Sequence, residues 1–128
     1  MNAFESADGK YLYFAKGRGE TGLWRKPLAG GPGAREEPVL ETLQYWGWWA
    51  LGARGIYFLE RPGGLPTANA DLKYLDLTSR RISRLLTLDR PVDPDYPAIT
   101  VSPDGRHLIY QASDSLEVSN IVLLEGFR

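Results

Sequence analysis

Side chains able to do chemistry are few in this chain, and they are scattered. It holds one histidine, His107, and no cysteine, so thiolate metal sites, cysteine nucleophiles and disulfides are excluded. A lone histidine in "GRHLIY" lacks the convergent ligands that a metal site needs. It reads as a strand-position filler on an exposed edge, and no metal or cofactor is expected. The absence of a second histidine and of a Gly-x-Ser-x-Gly elbow argues against a Ser-His-Asp hydrolase. Carboxylates remain as general acids or bases. Glu5 and Glu60 stand near strand ends, but no carboxylate pair recurs at positions that share a channel. Asp93 and Asp95 in "PVDPDYP" are of a type that suits calcium. Their spacing fits no calcium hand and prolines alternate with them, so a solvated, extended insertion is expected. The glycines at Gly17–Gly19 and in "AGGPG" do not lead into a helix, which makes them loops and not phosphate cradles.

Binding chemistry is better represented. "YWGWWAL" places Tyr45, Trp46, Trp48 and Trp49 within five positions. Large rigid aromatics of this kind anchor peptides or small molecules. They also fill space between packed sheets. The cluster is the candidate ligand-binding site, with the packing role as its alternative.

The elements that must position these residues are short strands. Fourteen glycines and nine prolines break the chain at close intervals, and the runs between them are rich in Tyr, Phe, Ile, Val, Leu and Trp. That is an all-β pattern. Only Thr78–Leu88 has some helical character, and it reads equally well as an edge strand. Three units recur: "SADGKYLYFAK", "ALGARGIYFLE" and "SPDGRHLIYQA". Aligned on Phe14, Phe58 and Tyr110, they lie 44 and 52 residues apart, and each is followed by a second apolar run, "GLWRKPL", "DLKYLDL" or "SNIVLL". A period near 45 with several strands per unit indicates β-propeller blades. "YLYFA", "IYFL" and "IVLL" are continuously apolar, as expected of strands covered on both faces.

The repeated turn has a structural job. In "SPDG", Pro103 presets φ, Asp104 hydrogen-bonds forward to the backbone, and Gly105 takes the positive φ that other residues resist. Asp8 and Gly9 repeat the device, with Ala7 in place of proline, while the middle unit carries Gly52 and Ala53 there. The expected partition is one partial propeller over residues 1–128: blade 1 about 1–43, blade 2 about 44–90 and blade 3 about 91–128, four strands each with the last blade incomplete. The Trp-bearing strand is expected to be the inner strand of the second blade, lining the channel.

"SPDGRHLIY" followed by "SNIVLLEGF" resembles the TolB-like, WD40-like propeller repeat. "FESADGKYLYFAK…GLWRKPLAGG", "WGWWALGARGIYFLE" and the closing "SPDG…NIVLLEGFR" resemble, more narrowly, the C-terminal propeller of bacterial winged-helix transcriptional regulators. The resemblance implies a sensory or regulatory propeller that binds a protein or small-molecule ligand without catalysis. The regulators' DNA-binding domain has no counterpart among these residues, so DNA contact is not carried over. Fifteen basic against sixteen acidic side chains give a net charge of -1, which also offers no footprint for nucleic acid. The alternative function is a propeller hydrolase or lyase with a carboxylate site in the channel.

No apolar run is long enough to span a bilayer, and "MNAFESADGK" lacks the features of a secretory signal. The expected location is cytoplasmic as the chain stands, or periplasmic if it belongs to a membrane-anchored regulator. Three blades leave two apolar flanks. Either a homodimer completes a six-bladed ring, or further blades of a longer chain do so.

Overall fold

A computed structural model describes residues 2–17, 19–64, 69–113 and 119–127. Met1, Arg18 and the final Arg128 of the closing "EGFR" lie outside the described residues. Strands β1 (Asn2–Glu5), β2 (Tyr11–Ala15), β3 (Leu23–Pro27) and β4 (Glu37–Leu40) form the first sheet in the order β1-β2-β3-β4. The second sheet runs β5 (Trp49–Leu51), β6 (Gly55–Glu60), β7 (Asp71–Asp76) and β8 (Ile82–Thr87), again in sequence order. The third holds β9 (Ile99–Val101), β10 (His107–Ser113) and β11 (Ser119–Glu125), with β10 in the middle. All pairings are antiparallel. The last sheet has no fourth strand among the described residues, as its short C-terminal run implies. The segment 78–88 resolves as a turn, with Arg80 at φ 62, and the outer strand β8.

The three sheets share one register. Phe14 pairs with Ala3 and Trp24, Phe58 with Trp49 and Lys73, and Tyr110 with Ile99 and Val122. The first strands meet where neighbouring sheets converge: β5 lies against β9, and Phe4 of β1 packs edge-on against Trp49 of β5 at 5.4 Å between ring centroids. These first strands therefore form the inner edge of a radial stack, the arrangement of propeller blades.

Strand alternation assigns each face. Tyr13 and Ala15 of β2 join the common core, whereas Phe14, although buried, points to the other side and does not. In β6 both faces are covered, since Gly55 through Leu59 are all buried. In β10 Leu108, Tyr110 and Ala112 are buried and the intervening side chains are not. Only the middle sheet, with a neighbour on each side, meets the expectation of full two-sided burial. "IVLL" in β11 departs from it: Ile121 and Leu123 are exposed because no sheet covers the outer face of the third.

The repeated turn is built twice in the same way. Ser6 Oγ donates to Asp8 Oδ1 at 2.7 Å, the Lys10 amide donates to the same oxygen, and the Tyr11 amide donates to Ser6 Oγ. Ser102, Asp104, Arg106 and His107 repeat the set, with Ser102 Oγ to Asp104 Oδ1 at 2.6 Å. Gly9 and Gly105 close the two turns at φ 71 and 72, in the left-handed region that a Cβ disfavours. The middle hairpin is shorter, Gly52 donating its amide to the Gly55 carbonyl at 2.8 Å. No helix among the described residues is long and apolar enough to cross a membrane.

Candidate ligand-binding site

The aromatic cluster divides between core and surface. Of its four members only Trp49 belongs to the inner strand β5; Tyr45 to Trp48 form the turn that leads into it, with the Trp48 amide donating to the Tyr45 carbonyl at 3.1 Å. Trp48 and Trp49 are fully buried, at 0% and 1% exposure, whereas Tyr45 and Trp46 are half-buried. Each buried indole has an acceptor: Trp48 Nε1 donates to the Asp93 carbonyl at 3.1 Å, and Trp49 Nε1 donates to the Trp46 carbonyl at 3.0 Å. Trp46 Nε1 is buried without a hydrogen-bond partner. The packing role therefore falls to Trp48 and Trp49, and the accessible aromatic surface to Tyr45 and Trp46.

Gly47 sits between the tryptophans for a steric reason. A Cβ there would lie 2.7 Å from Pro97 Cα and 2.7 Å from the Tyr96 carbonyl oxygen, both backbone atoms. This close approach lets the Ala98 amide donate to the Gly47 carbonyl at 2.9 Å, joining the second sheet's lead-in to the third's. The expected solvated, extended insertion at "PVDPDYP" holds for Pro91, Asp95, Tyr96 and Pro97, which are exposed, but its Val92–Asp93 part is anchored to the protein. Val92 is 4% exposed, the Asp93 carbonyl receives Trp48, and the Asp93 carboxylate accepts the Asp95 amide at 2.8 Å. Burial of the Trp48 ring draws the segment onto the protein. Tyr96 extends well into solvent, at 54% exposure.

Two further residues hold the turn, and nothing in the local sequence singles them out. Gln44 reaches across to the end of β6, its Nε2 donating to the Arg61 carbonyl at 3.0 Å and its Oε1 accepting the Arg61 amide at 2.7 Å. The Arg61 guanidinium lies over Tyr45 and Trp48, at 5.5 and 5.2 Å from the ring centroids, and donates to Tyr45 Oη at 3.3 Å. A cation stacked on aromatics adds attraction to the packing. The only sequence trace of this pair is a polar residue directly before the aromatic run and a basic one directly after the strand.

Connections from all three sheets converge at this end of the stack. A cavity of about 240 Å³ is lined by Gly17, Gly19, Glu20 and Thr21 from the β2–β3 loop, Gln44 to Trp46, and Pro94 with Asp95. Two aromatic faces and two carboxylates thus border one recess. The opposite end carries the Asp-Gly turns. There Asp8 and Asp104 are held below the ordinary carboxylate range, first by the Ser6 and Ser102 hydroxyls and then by the Lys10 and Arg106 amides. Asp76 is lowered likewise, by the amides of Ser79 and Thr78 in the β7–β8 turn.

The remaining sequence candidates are dispersed. His107 begins β10 with its Nε2 at 3.3 Å from Glu125 Oε1, both largely exposed. Glu5 and Glu60 stand on different sheets, and Glu60 accepts Lys73 Nζ at 2.8 Å. Among the described residues no three His, Asp or Glu side chains gather as a metal site would require.

No protein-family model matches the chain, and no curated protein matches it. Among solved structures, TolB from Acinetobacter baumannii, a β-propeller protein, superposes on 98% of this chain with a TM-score of 0.68 at 16% sequence identity. The chain spans 29% of the length of that protein. Radial sheets, shared register and this likeness together give the chain a TolB-like β-propeller fold, present as a three-bladed segment.

Proposed function

We propose that this chain is a non-catalytic β-propeller recognition module, divided into blades at about residues 43/44 and 90/91, and that it binds at the end bearing Tyr45 and Trp46. The observation that carries the reading is the recess where loops from three blades meet, bordered by Tyr45, Trp46, Glu20 and Asp95. Its volume of about 240 Å³ lies below the roughly 300–1,000 Å³ of pockets that enclose whole small molecules. A side chain projecting from a protein partner suits it better. Carboxylates beside aromatic faces favour a cationic one, lysine or arginine, through charge and cation–π attraction.

The proposal includes a sensory or regulatory role like that of the propeller in bacterial winged-helix regulators. Its support is the likeness of "FESADGKYLYFAK", "WGWWALGARGIYFLE" and the terminal strand pair to those propellers.

Titration with acetyl-lysine-amide and acetyl-arginine-amide, followed by tryptophan fluorescence and amide NMR shifts, tests the site. Shifts confined to residues 17, 19–21, 44–46 and 94–95, and lost in Tyr45→Ala and Glu20→Gln, are expected. Shifts spread over the surface, or unchanged in both variants, overturn the reading. For the regulatory role, the reading frame upstream of Met1 is decisive: a winged-helix segment supports it, and an in-frame stop codon contradicts it.

A further inference from the structure

The open flanks of the three-blade stack carry the residues that would pack them together. In the shared register, Leu23, Leu72 and Ile121 occupy one slot, each directly preceding the partner of Phe14, Phe58 or Tyr110. Leu23 and Leu72 are 0% exposed, and Ile121 is 79% exposed. Tyr13, Tyr57 and Ile109 fill the neighbouring slot; the first two are buried and Ile109 is 40% exposed. Leu123, opposite Ile109, is 53% exposed. In the first two blades this face is closed by the next blade. The third blade keeps the same apolar slots, and no further sheet among the described residues covers them.

The first blade presents the opposite half of that joint. Leu12, Phe14 and Trp24 hold the slots that Ile56, Phe58 and Lys73 hold in the second blade, and Leu108, Tyr110 and Val122 in the third. These are the faces that receive a preceding blade. Ile56 and Phe58 are 0% exposed there; in the first blade Phe14 is 4% exposed, while Leu12 and Trp24 beside it remain half-buried. Among the described sheets, one flank is thus a donor face that no sheet covers, and the other a receiving face that no sheet packs on.

We propose that the occupant of each flank is a second copy of this chain, with the third blade of each packing on the first blade of the other. Two copies give six blades, inside the usual range of about four to eight, whereas three copies would exceed it. A two-fold axis along the channel makes both joints identical and leaves no open face. Charge agrees as well: Lys26 on the receiving flank, in the row of Leu108 and Leu124, lies one register row from the level of Glu125 on the donor flank. The inference rests on the propeller fold alone, so the ligand reading and this one fail separately.

Light scattering coupled to size exclusion on the 128-residue chain is expected to give twice its 14.3 kDa. A monomer, or an open series of larger species, overturns the proposal. Geometry is read by crosslinking, because the chain has no native cysteine. The contact of Phe4 with Trp49 marks where inner strands meet across a joint. In the shared register its counterparts are Thr100 and Ala3, the partners of Ile109 and Phe14. A short bismaleimide is expected to trap a dimer of the Ala3→Cys/Thr100→Cys double variant and of neither single variant. A covalent dimer from Thr100→Cys alone means back-to-back packing and contradicts the ring. Ile121→Glu is expected to weaken the dimer on the order of 100-fold or more. Ile82→Glu, on the exposed outer strand β8, is expected to leave it intact. Circular dichroism checks that both variants fold, and a folded Ile121→Glu that still dimerises like the parent refutes the joint.

Discussion

Truncating the same slot in two blades gives a sharp test of blade packing. Leu72 is wholly buried and Ile121 is 79% exposed, although both stand at one register position. Leu72→Ala removes three carbons from the core, about 2.4 kcal/mol of transfer free energy at ~0.8 kcal/mol each. The cavity between the second and third blades closes only partly, which brings the expected loss to about 3–4 kcal/mol. At roughly 4 °C per kcal/mol for a chain of this size, the midpoint falls by about 12–16 °C. Ile121→Ala removes solvent-facing atoms and is expected to cost within about 0.5 kcal/mol in the dissociated chain. Urea unfolding, tracked by circular dichroism and tryptophan fluorescence over a series of protein concentrations, separates the two. The Leu72→Ala loss is expected at every concentration. Any Ile121→Ala loss is expected to grow with concentration, since it acts through association. Equal losses at the lowest concentration that keeps the chain folded would mean that the third sheet already has its outer face covered within one chain. Radial packing of the three sheets would then be refuted.

The turns set three further outcomes. Gly105→Ala, at φ 72, is expected to destabilise by about 1–2 kcal/mol, and Gly105→Asn by less, because asparagine tolerates the left-handed region; equal losses in a melting experiment would contradict this. Gly47→Ala drives a Cβ into the Tyr96–Pro97 backbone and is expected to cost about 2 kcal/mol or more, with loss of near-ultraviolet tryptophan ellipticity; a silent substitution would dissolve the link between the second and third blades. Asp8, Asp76 and Asp104 have lowered pKa values in the folded chain, so their ionised forms favour folding. That stability is present at neutral pH and is lost as pH falls from the ordinary carboxylate range through the lowered values. Ser6→Ala/Ser102→Ala is expected to narrow this acid dependence, as measured by melting temperature against pH.

The repeat was legible because turn chemistry and apolar runs are local. Asp8-Gly9 and Asp104-Gly105 mark their hairpins through hydrogen bonds that span a few residues, and Phe14, Phe58 and Tyr110 mark one slot through composition alone. The aromatic cluster was visible for the same reason. Its division into buried Trp48 and Trp49 and half-buried Tyr45 and Trp46 was not, because the acceptor for Trp48 comes from Asp93, 45 positions away. Arg61 and Gln44 were illegible because their roles exist only once β6 returns beside the turn. The anchoring of "PVDPDYP" at Val92 and Asp93 was illegible on the same ground: its carboxylates and prolines speak of water, in agreement with the exposure of Asp95 and Pro97, and the ring that holds it lies in another blade. Exposure of "IVLL" depends on whether another sheet packs on the outer face of the third, which local sequence does not encode.

A crystal structure of the 128-residue chain is the most direct test of the central claim, that three register-matched sheets stack radially with their first strands innermost. The expected result is that β1, β5 and β9 line one axis, with Leu72 buried between the second and third sheets. Two sheets packed face to face as a sandwich, with Leu23 and Leu72 in unrelated environments, would contradict it.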